Sequence, residues 1–145
     1  MRNIDLDRDL VIVGLPLHTS PGAAAAEIPA HWGRFMATQP RGEIYAVYCD
    51  YTSDWQGGYT MVLGTRGDAN APIPEGHRRV RVPFGRYAAF DAEGDPARVV
   101  WQTWMHVNTE WTGRDKRRYI ADYERYLAVG PTGVRVEIGV GVDAD

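Results

Sequence analysis

The two halves of this sequence repeat the same order of elements, and this internal repeat constrains the fold more than any other feature. Each half is predicted to begin with an apolar, β-branched strand, to continue into a proline-opened helix, and to end in further strands. The helices match in detail, because Ile28 and Trp32 in the first have the same spacing as Val100 and Trp104 in the second. Such a repeat places a pseudo-twofold seam between the halves, and pockets commonly form at internal interfaces of this kind.

Short apolar runs rich in β-branched and aromatic residues predict the strands. They cover residues 10–17, 42–51, 59–65, 80–94 (with a break near Pro83 and Gly85) and 134–142. The last of them alternates strictly, with Arg135 and Glu137 facing away from the five apolar side chains at 134, 136, 138, 140 and 142. Residues 67–76 are predicted to form a loop because they are rich in Gly, Pro and Asn.

Both helices are predicted to start with a capping residue followed by proline, Ser20 before Pro21 and Asp95 before Pro96. Pro29 leaves two alternatives for the first helix, a kink or a later start at Ile28, and we expect helices near residues 28–38 and 96–110. The apolar stripes are Ile28, Trp32, Phe35 and Met36 in the first helix, and Ala97, Val100, Trp104, Val107 and Trp111 in the second.

The segment ADYERYL, residues 121–127, fits two structures. As a helix it would place Tyr123 and Leu127 on one stripe, with Gly130 as a stop signal, and local propensity slightly favours this. As a strand it would direct Tyr123 and Leu127 to the core, and Asp122, Glu124 and Tyr126 to the other side. The internal repeat favours the strand.

Charge and cysteine content narrow the classes of function. The net charge of −3 weighs against a non-specific nucleic-acid binder, which needs a basic face. Cys49 is the only cysteine, so the chain has no intrachain disulfide, and we interpret it as a small buried hydrophobe. There is no signal-peptide pattern and no apolar run of membrane-spanning length, which predicts a cytoplasmic protein without membrane binding.

Aromatic and acidic residues form the most informative group. The four histidines lack metal-ligand spacing and no cofactor motif is present, so we expect neither metal nor cofactor. The basic run at 113–118 is interpreted as a solvated connection. The group consists of Trp104, Trp111, Glu124, Tyr126 and Glu137, with Tyr45, Tyr48 and Tyr51 from the other half. These residues are either ordinary core or an aromatic cage around a carboxylate, which attracts organic cations.

Six blocks in order resemble the GyrI-like small-molecule-binding domain, also called the bacterial transcription-activator effector-binding domain. The blocks are IPAHWGRF, IYAVYCDYTSDWQGGYTMVLG, VPFGRYAAF, VVWQTWMHVNTEW, IADYERYL and VRVEIGV, between about residues 10 and 142. The resemblance implies one domain over residues 1–145, with an α+β fold of two pseudo-symmetric β-α-β-β repeats. These would form an antiparallel sheet with helices packed on it and a ligand cleft between the repeats. It also implies that ADYERYL is a strand.

In that family the acidic residue of the DYERY-like block lies at the bottom of the drug pocket, which corresponds here to Glu124, and Tyr126 would face the same cleft. The last strand departs from the family pattern, because relatives often have an aromatic residue and a proline where this chain has VEIGVGV. We expect Gly139 to leave the cleft wider. Glu137 is either a second carboxylate of the cleft or, in the simpler interpretation, a solvated strand residue.

Three functional hypotheses follow. The first is a stand-alone protein that binds lipophilic, cationic small molecules through Glu124, Tyr126, Trp104, Trp111, Tyr48 and Glu137, as a sequestering factor or a sensor. No helix-turn-helix domain precedes the first strand, so we expect no direct DNA binding. The second is a hydrolase of strained, cyclopropane-bearing electrophiles, because some members of the family catalyse this reaction, with Glu124 as general base. The third is a protein-interaction role, by analogy with the gyrase-inhibitor members.

Overall fold

The computed structural model describes residues 1–144 and contains one antiparallel sheet of eight strands with two helices. The helices are α1 (Pro21–Ala37) and α2 (Pro96–Thr109), and a short 3-10 turn occupies Arg114–Lys116. The strands are β1 (Arg2–Leu6), β2 (Leu10–Thr19), β3 (Ile44–Cys49), β4 (Tyr59–Arg66), β5 (Arg78–Val82), β6 (Gly85–Gly94), β7 (Ala121–Gly130) and β8 (Gly133–Gly141). Their order across the sheet is β1-β6-β8-β7-β3-β4-β2-β5.

This order reads as two matching halves that meet where β7 pairs with β3. One half is β2-α1-β3-β4 and the other is β6-α2-β7-β8, so the predicted α+β fold of two β-α-β-β repeats is confirmed. Each half also receives an edge strand that precedes the other half in the sequence. Strand β5 pairs with β2, and β1 pairs with β6.

Residues 121–130 form strand β7, so the helix that local propensity favours at this position is wrong. The strand is paired on both sides, with β3 and β8, which satisfies its backbone along most of its length. Its neighbour β8 confirms the predicted pairing of 121–127 with 134–142. A register shift between Tyr126 and Ala128 marks a bulge near the outer end of the strand.

The helix starts differ from the predictions in two ways. Helix α1 begins at Pro21 and runs through Pro29 to Ala37, so the later start at Ile28 is wrong. Ser20 makes no side-chain cap, whereas the Asp95 carboxylate accepts a hydrogen bond from the Ala97 amide as predicted.

Strand β1 was not predicted, although Ile4 and Leu6 show the alternation of a half-buried strand.

The two faces of the sheet support separate cores. The inner face carries Tyr45, Val47, Tyr87 and Tyr123, and residues of both edge strands, β1 and β5, pack into this same cluster, so the sheet curls around it. On the outer face, α1 covers one cluster that includes Phe35 and Ala46, and α2 covers another that includes Val107 and Ile138. Within residues 1–144, neither helix is both long and apolar enough to cross a membrane.

Candidate functional site

Glu124 lies on the outer face of the sheet, close to the seam between the two halves. It stands in β7 opposite Ala46 of β3 on one side and Ile138 of β8 on the other. Ala46 belongs to the cluster under α1 and Ile138 to the cluster under α2, so the carboxylate sits where the two helix-covered cores meet. Its side chain is only 1% exposed.

Three aromatic side chains donate hydrogen bonds to this carboxylate. The Tyr48 hydroxyl and the Trp104 indole Nε1 each donate to Oε2 at 2.7 Å, and the Tyr126 hydroxyl donates to Oε1 at 2.8 Å. The donors come from β3, α2 and β7, so the site joins both halves of the fold. The structure therefore brings together four of the residues that the sequence singled out.

The partners of Glu124 are neutral, and this sets its electrostatics. Burial raises the pKa of Glu124 above its usual value of 4.5, and the hydrogen bonds from Trp104, Tyr48 and Tyr126 oppose this rise. Burial, and next to it the charge of Glu124, raise the pKa of the Tyr48 and Tyr126 hydroxyls well above the usual 10. Both phenols therefore remain protonated donors at neutral pH.

Two further aromatic residues complete the cage and were not predicted as site residues. The Tyr59 ring lies 5.6 Å from Tyr48, and the Trp32 ring of α1 lies 5.1 Å from Tyr126, both edge to face. Trp32 could have been found from the sequence, because it is the repeat counterpart of Trp104. The cage is thus defined as Trp32, Tyr48, Tyr59, Trp104 and Tyr126 around Glu124.

A second buried carboxylate, Asp122, lies two residues before Glu124 on the same face of β7, as the strand prediction implied. It accepts hydrogen bonds from the Arg117 guanidinium at 3.0 Å, the Tyr51 hydroxyl at 2.6 Å and the Gly141 amide at 2.8 Å. The Arg117 side chain is 1% exposed. The prediction of a solvated connection at 113–118 is therefore wrong for Arg117.

Arg117 also contacts the aromatic residues near the cage. Its guanidinium carbon lies 4.2 Å from the Tyr119 ring centroid and 5.9 Å from that of Trp104. Tyr119 holds a left-handed backbone conformation, with φ of 53°, which is unfavourable for a bulky side chain. The ion pair and its aromatic neighbours therefore lie directly beside the cage, next to Trp104.

The remaining predicted residues lie elsewhere. Trp111 packs against Phe90 at 5.2 Å in the core under α2. Tyr45 is buried in the core of the inner face, and the Tyr51 hydroxyl donates a hydrogen bond to Asp122. Glu137 is on the inner face, where it accepts hydrogen bonds from Tyr123 and Arg2, so it is neither a solvated residue nor a neighbour of Glu124.

Gly139 does not widen the cleft, contrary to the prediction. It pairs with Tyr123 on the inner face, and a Cβ at this position would lie 2.2 Å from the Tyr123 ring. The space left by the missing side chain is filled by that ring.

Cys49 is buried, and its burial raises the pKa of the thiol to about 11, in line with its interpretation as a small hydrophobe.

Comparison with known proteins relates the sequence to a family of effector-binding proteins. The sequence model of a family described as "Cass2: Integron-associated effector binding protein" matches residues 10–142. The Bacillus subtilis (strain 168) protein YobU, named as a transcriptional regulator, is 28% identical over 155 residues, covering 97% of this chain and 94% of its own.

Two solved structures share the fold at low sequence identity. An integron cassette protein of Vibrio cholerae superposes with a TM-score of 0.75 at 20% identity, covering 98% of this chain and 95% of its own. A protein called SAV2435, bound to tetraphenylphosphonium, superposes with a TM-score of 0.80 at 18% identity, covering 99% of this chain and 93% of its own.

Proposed function

The chain belongs to the Cass2 family of integron-associated effector binding proteins, and on this basis we propose that it binds lipophilic organic cations in the cage around Glu124. The observation that carries the proposal is a buried carboxylate whose three contacts are all neutral aromatic donors. A buried charge without a counter-ion is costly to the free protein, and a ligand cation would supply that counter-ion.

The cage provides two attractions that act in the same direction. Tyrosine and tryptophan ring faces attract a cation by roughly 0.5–2 kcal/mol each once the contact is desolvated. The Tyr48 and Tyr126 hydroxyls donate to Glu124, so negative charge lies beyond the hydroxyl end of each ring. A cation on a ring face is therefore attracted by the ring and, at longer range, by the carboxylate at the edge of that ring.

Glu124 is too buried for a large ligand to touch its oxygens in this conformation. The ligand would meet ring faces first, and Glu124 would act on it through the phenols. Deeper entry requires the Trp104 or Trp32 side chain to move, since these two rings come from the helices that cover the site. The complex of SAV2435 with tetraphenylphosphonium supports this ligand class, because that protein shares the fold.

A calorimetric titration with tetraphenylphosphonium tests the proposal, with neutral triphenylphosphine oxide as the uncharged comparison. We expect the cation to bind more tightly and Glu124→Gln to weaken only the cation. Glu137→Gln is the matched control, because it removes a largely buried carboxylate from the opposite face of the sheet. Equal binding of the cation and the neutral compound by the parent protein would refute charge selection.

The same samples test the hydrolase hypothesis. Glu124 is only 1% exposed and already accepts three hydrogen bonds, which limits the access that an attacking water molecule would need to reach a general base. We therefore expect no turnover when a cyclopropane-bearing electrophile is incubated with the protein. Hydrolysis that disappears in Glu124→Gln would replace the binding proposal with an enzymatic one.

A further inference from the structure

The geometry points to a preference for singly charged over doubly charged organic cations, set by Arg117. This inference rests on the proposed function, since it concerns the ligand class of the same site. It arises from the charges that the fold buries together: two carboxylates, Glu124 and Asp122, and one guanidinium, that of Arg117.

The two carboxylates lie side by side, but only one of them has a positively charged partner. Asp122 and Glu124 are alternate residues of one strand, so their Cα atoms are about 7 Å apart. Asp122 is ion-paired with Arg117, whereas Glu124 contacts only neutral donors. With Glu124 ionised, the cluster keeps one uncompensated negative charge, which matches one positive charge on a ligand.

Arg117 cannot easily leave this arrangement. Its guanidinium donates to Asn108 of α2 at 2.6 Å and to Asp122 at 3.0 Å, and it stacks on Tyr119. It also lies 5.9 Å from the Trp104 ring centroid, which places a fixed positive charge beside the cage. A second ligand charge on the Arg117 side of the cage would meet that guanidinium, and the neighbouring Asp122 carboxylate is already ion-paired, so the charge would be desolvated without compensation.

The test uses a pair of probes that differ in charge but not in shape. Methyl viologen is a planar bipyridinium dication, and its isostere, in which one methylated ring nitrogen is replaced by carbon, is a monocation. Calorimetry should show that the parent protein binds the monocation at least about tenfold more tightly. This ratio follows from the repulsion between the second ligand charge and the Arg117 guanidinium, which at a distance of about 10 Å and an effective dielectric constant of about 20 costs about 1.5 kcal/mol.

Three variants separate charge from structure. Arg117→Gln frees Asp122, so the preference for the monocation should fall by about tenfold or reverse. Arg117→Lys keeps the positive charge and should keep the preference. The double variant Arg117→Gln with Asp122→Asn restores a single negative charge and should restore the preference, which a merely structural role of Arg117 would not produce.

A further variant keeps the inference testable if Arg117→Gln does not fold. Asp122→Asn leaves Glu124 and Arg117 as the buried charges of the cluster, with no net negative charge, so monocation affinity should fall by about tenfold while thermal unfolding confirms a folded protein. Failure of the parent protein to bind the monocation would overturn the proposed function itself. Monocation binding with a ratio that Arg117→Gln leaves unchanged would overturn only the role of Arg117.

Discussion

Replacing Glu124 with Gln removes the charge at the centre of the cage while it keeps the shape of the side chain. The Gln carbonyl can take the place of Oε2 and accept from the Tyr48 hydroxyl and the Trp104 indole. Its amide group then takes the place of Oε1 and faces the Tyr126 hydroxyl, which can rotate and accept. The hydrogen bonds can thus be retained, so that the change isolates the charge.

The expected loss of affinity follows from the distance between carboxylate and ligand. A cation over the face of Tyr48 lies within about 6 Å of the ring centroid, and the carboxylate is a further 2.7 Å beyond the hydroxyl. Because the hydroxyl lies in the ring plane, the two charges are about 8 Å apart, and at an effective dielectric constant of about 20 they attract by about 2 kcal/mol. This corresponds to about a 30-fold loss of affinity for the cation.

The free protein should respond in the opposite direction. Because burial raises the pKa of Glu124 above 4.5, the folded state holds its proton more tightly than the unfolded state. The stability that this contributes is present below pH 4.5 and is lost as the pH rises through the raised pKa. Gln carries no such penalty, so the free energy of unfolding of Glu124→Gln relative to the parent should increase over that range.

Calorimetry with tetraphenylphosphonium and urea denaturation at several pH values measure the two effects. A Glu124→Gln protein that binds the cation as tightly as the parent would show that the carboxylate does not select the ligand. A variant that also loses stability at neutral pH would show that the buried charge is compensated by contacts other than the three donors.

Three other perturbations have defined outcomes. Cation affinity should rise with pH through the raised pKa of Glu124 and then level off, because a bound cation favours the ionised form, whereas Glu124→Gln should show no such rise. Trp104→Phe removes a donor to a buried carboxylate and should cost about 1–3 kcal/mol of stability. It should also reduce the quenching of tryptophan fluorescence that a ligand bound in the cage is expected to cause. Trp101→Phe, at a residue 63% exposed on the same helix, should have neither effect. Gly139→Ala should lower the free energy of unfolding by at least about 1–3 kcal/mol, because the added methyl group would overpack against the Tyr123 ring. Gly33→Ala is the control, since a Cβ at that position of α1 meets open space. Chemical denaturation should show that this second change is neutral or stabilising.

The repeat and the hydrophobic patterns predicted most of the fold because they depend on local sequence. Local sequence did not predict strand β7, because ADYERYL contains good helix formers and becomes a strand only through its pairing with β3 and β8. Tertiary pairing overrode propensity here. Pro29 misled the prediction of α1 for a related reason, because a helix packed on a sheet tolerates the loss of one backbone hydrogen bond.

The site was predicted in part. Glu124, Tyr48, Trp104 and Tyr126 could be proposed together from residue type and resemblance, but the sheet register decides which face a strand residue occupies. Glu137 and Ile138 are adjacent in β8, so their side chains point to opposite faces of the sheet. Ile138 lies opposite Glu124 on the outer face, and Glu137 lies on the inner face. The Arg117–Asp122 pair was missed because nothing in a short basic run shows which of its members turns inward.

The exchange of edge strands between the halves has a consequence for how the chain unfolds. Strand β1 precedes the first repeat but completes the sheet of the second, and β5 precedes the second but completes the first. The architecture is that of a strand-swapped dimer whose two subunits are fused into one polypeptide. Melting of either repeat strips an edge from the other and opens their shared inner core. The two helices and the cage between them should therefore be lost in a single cooperative step rather than one half at a time.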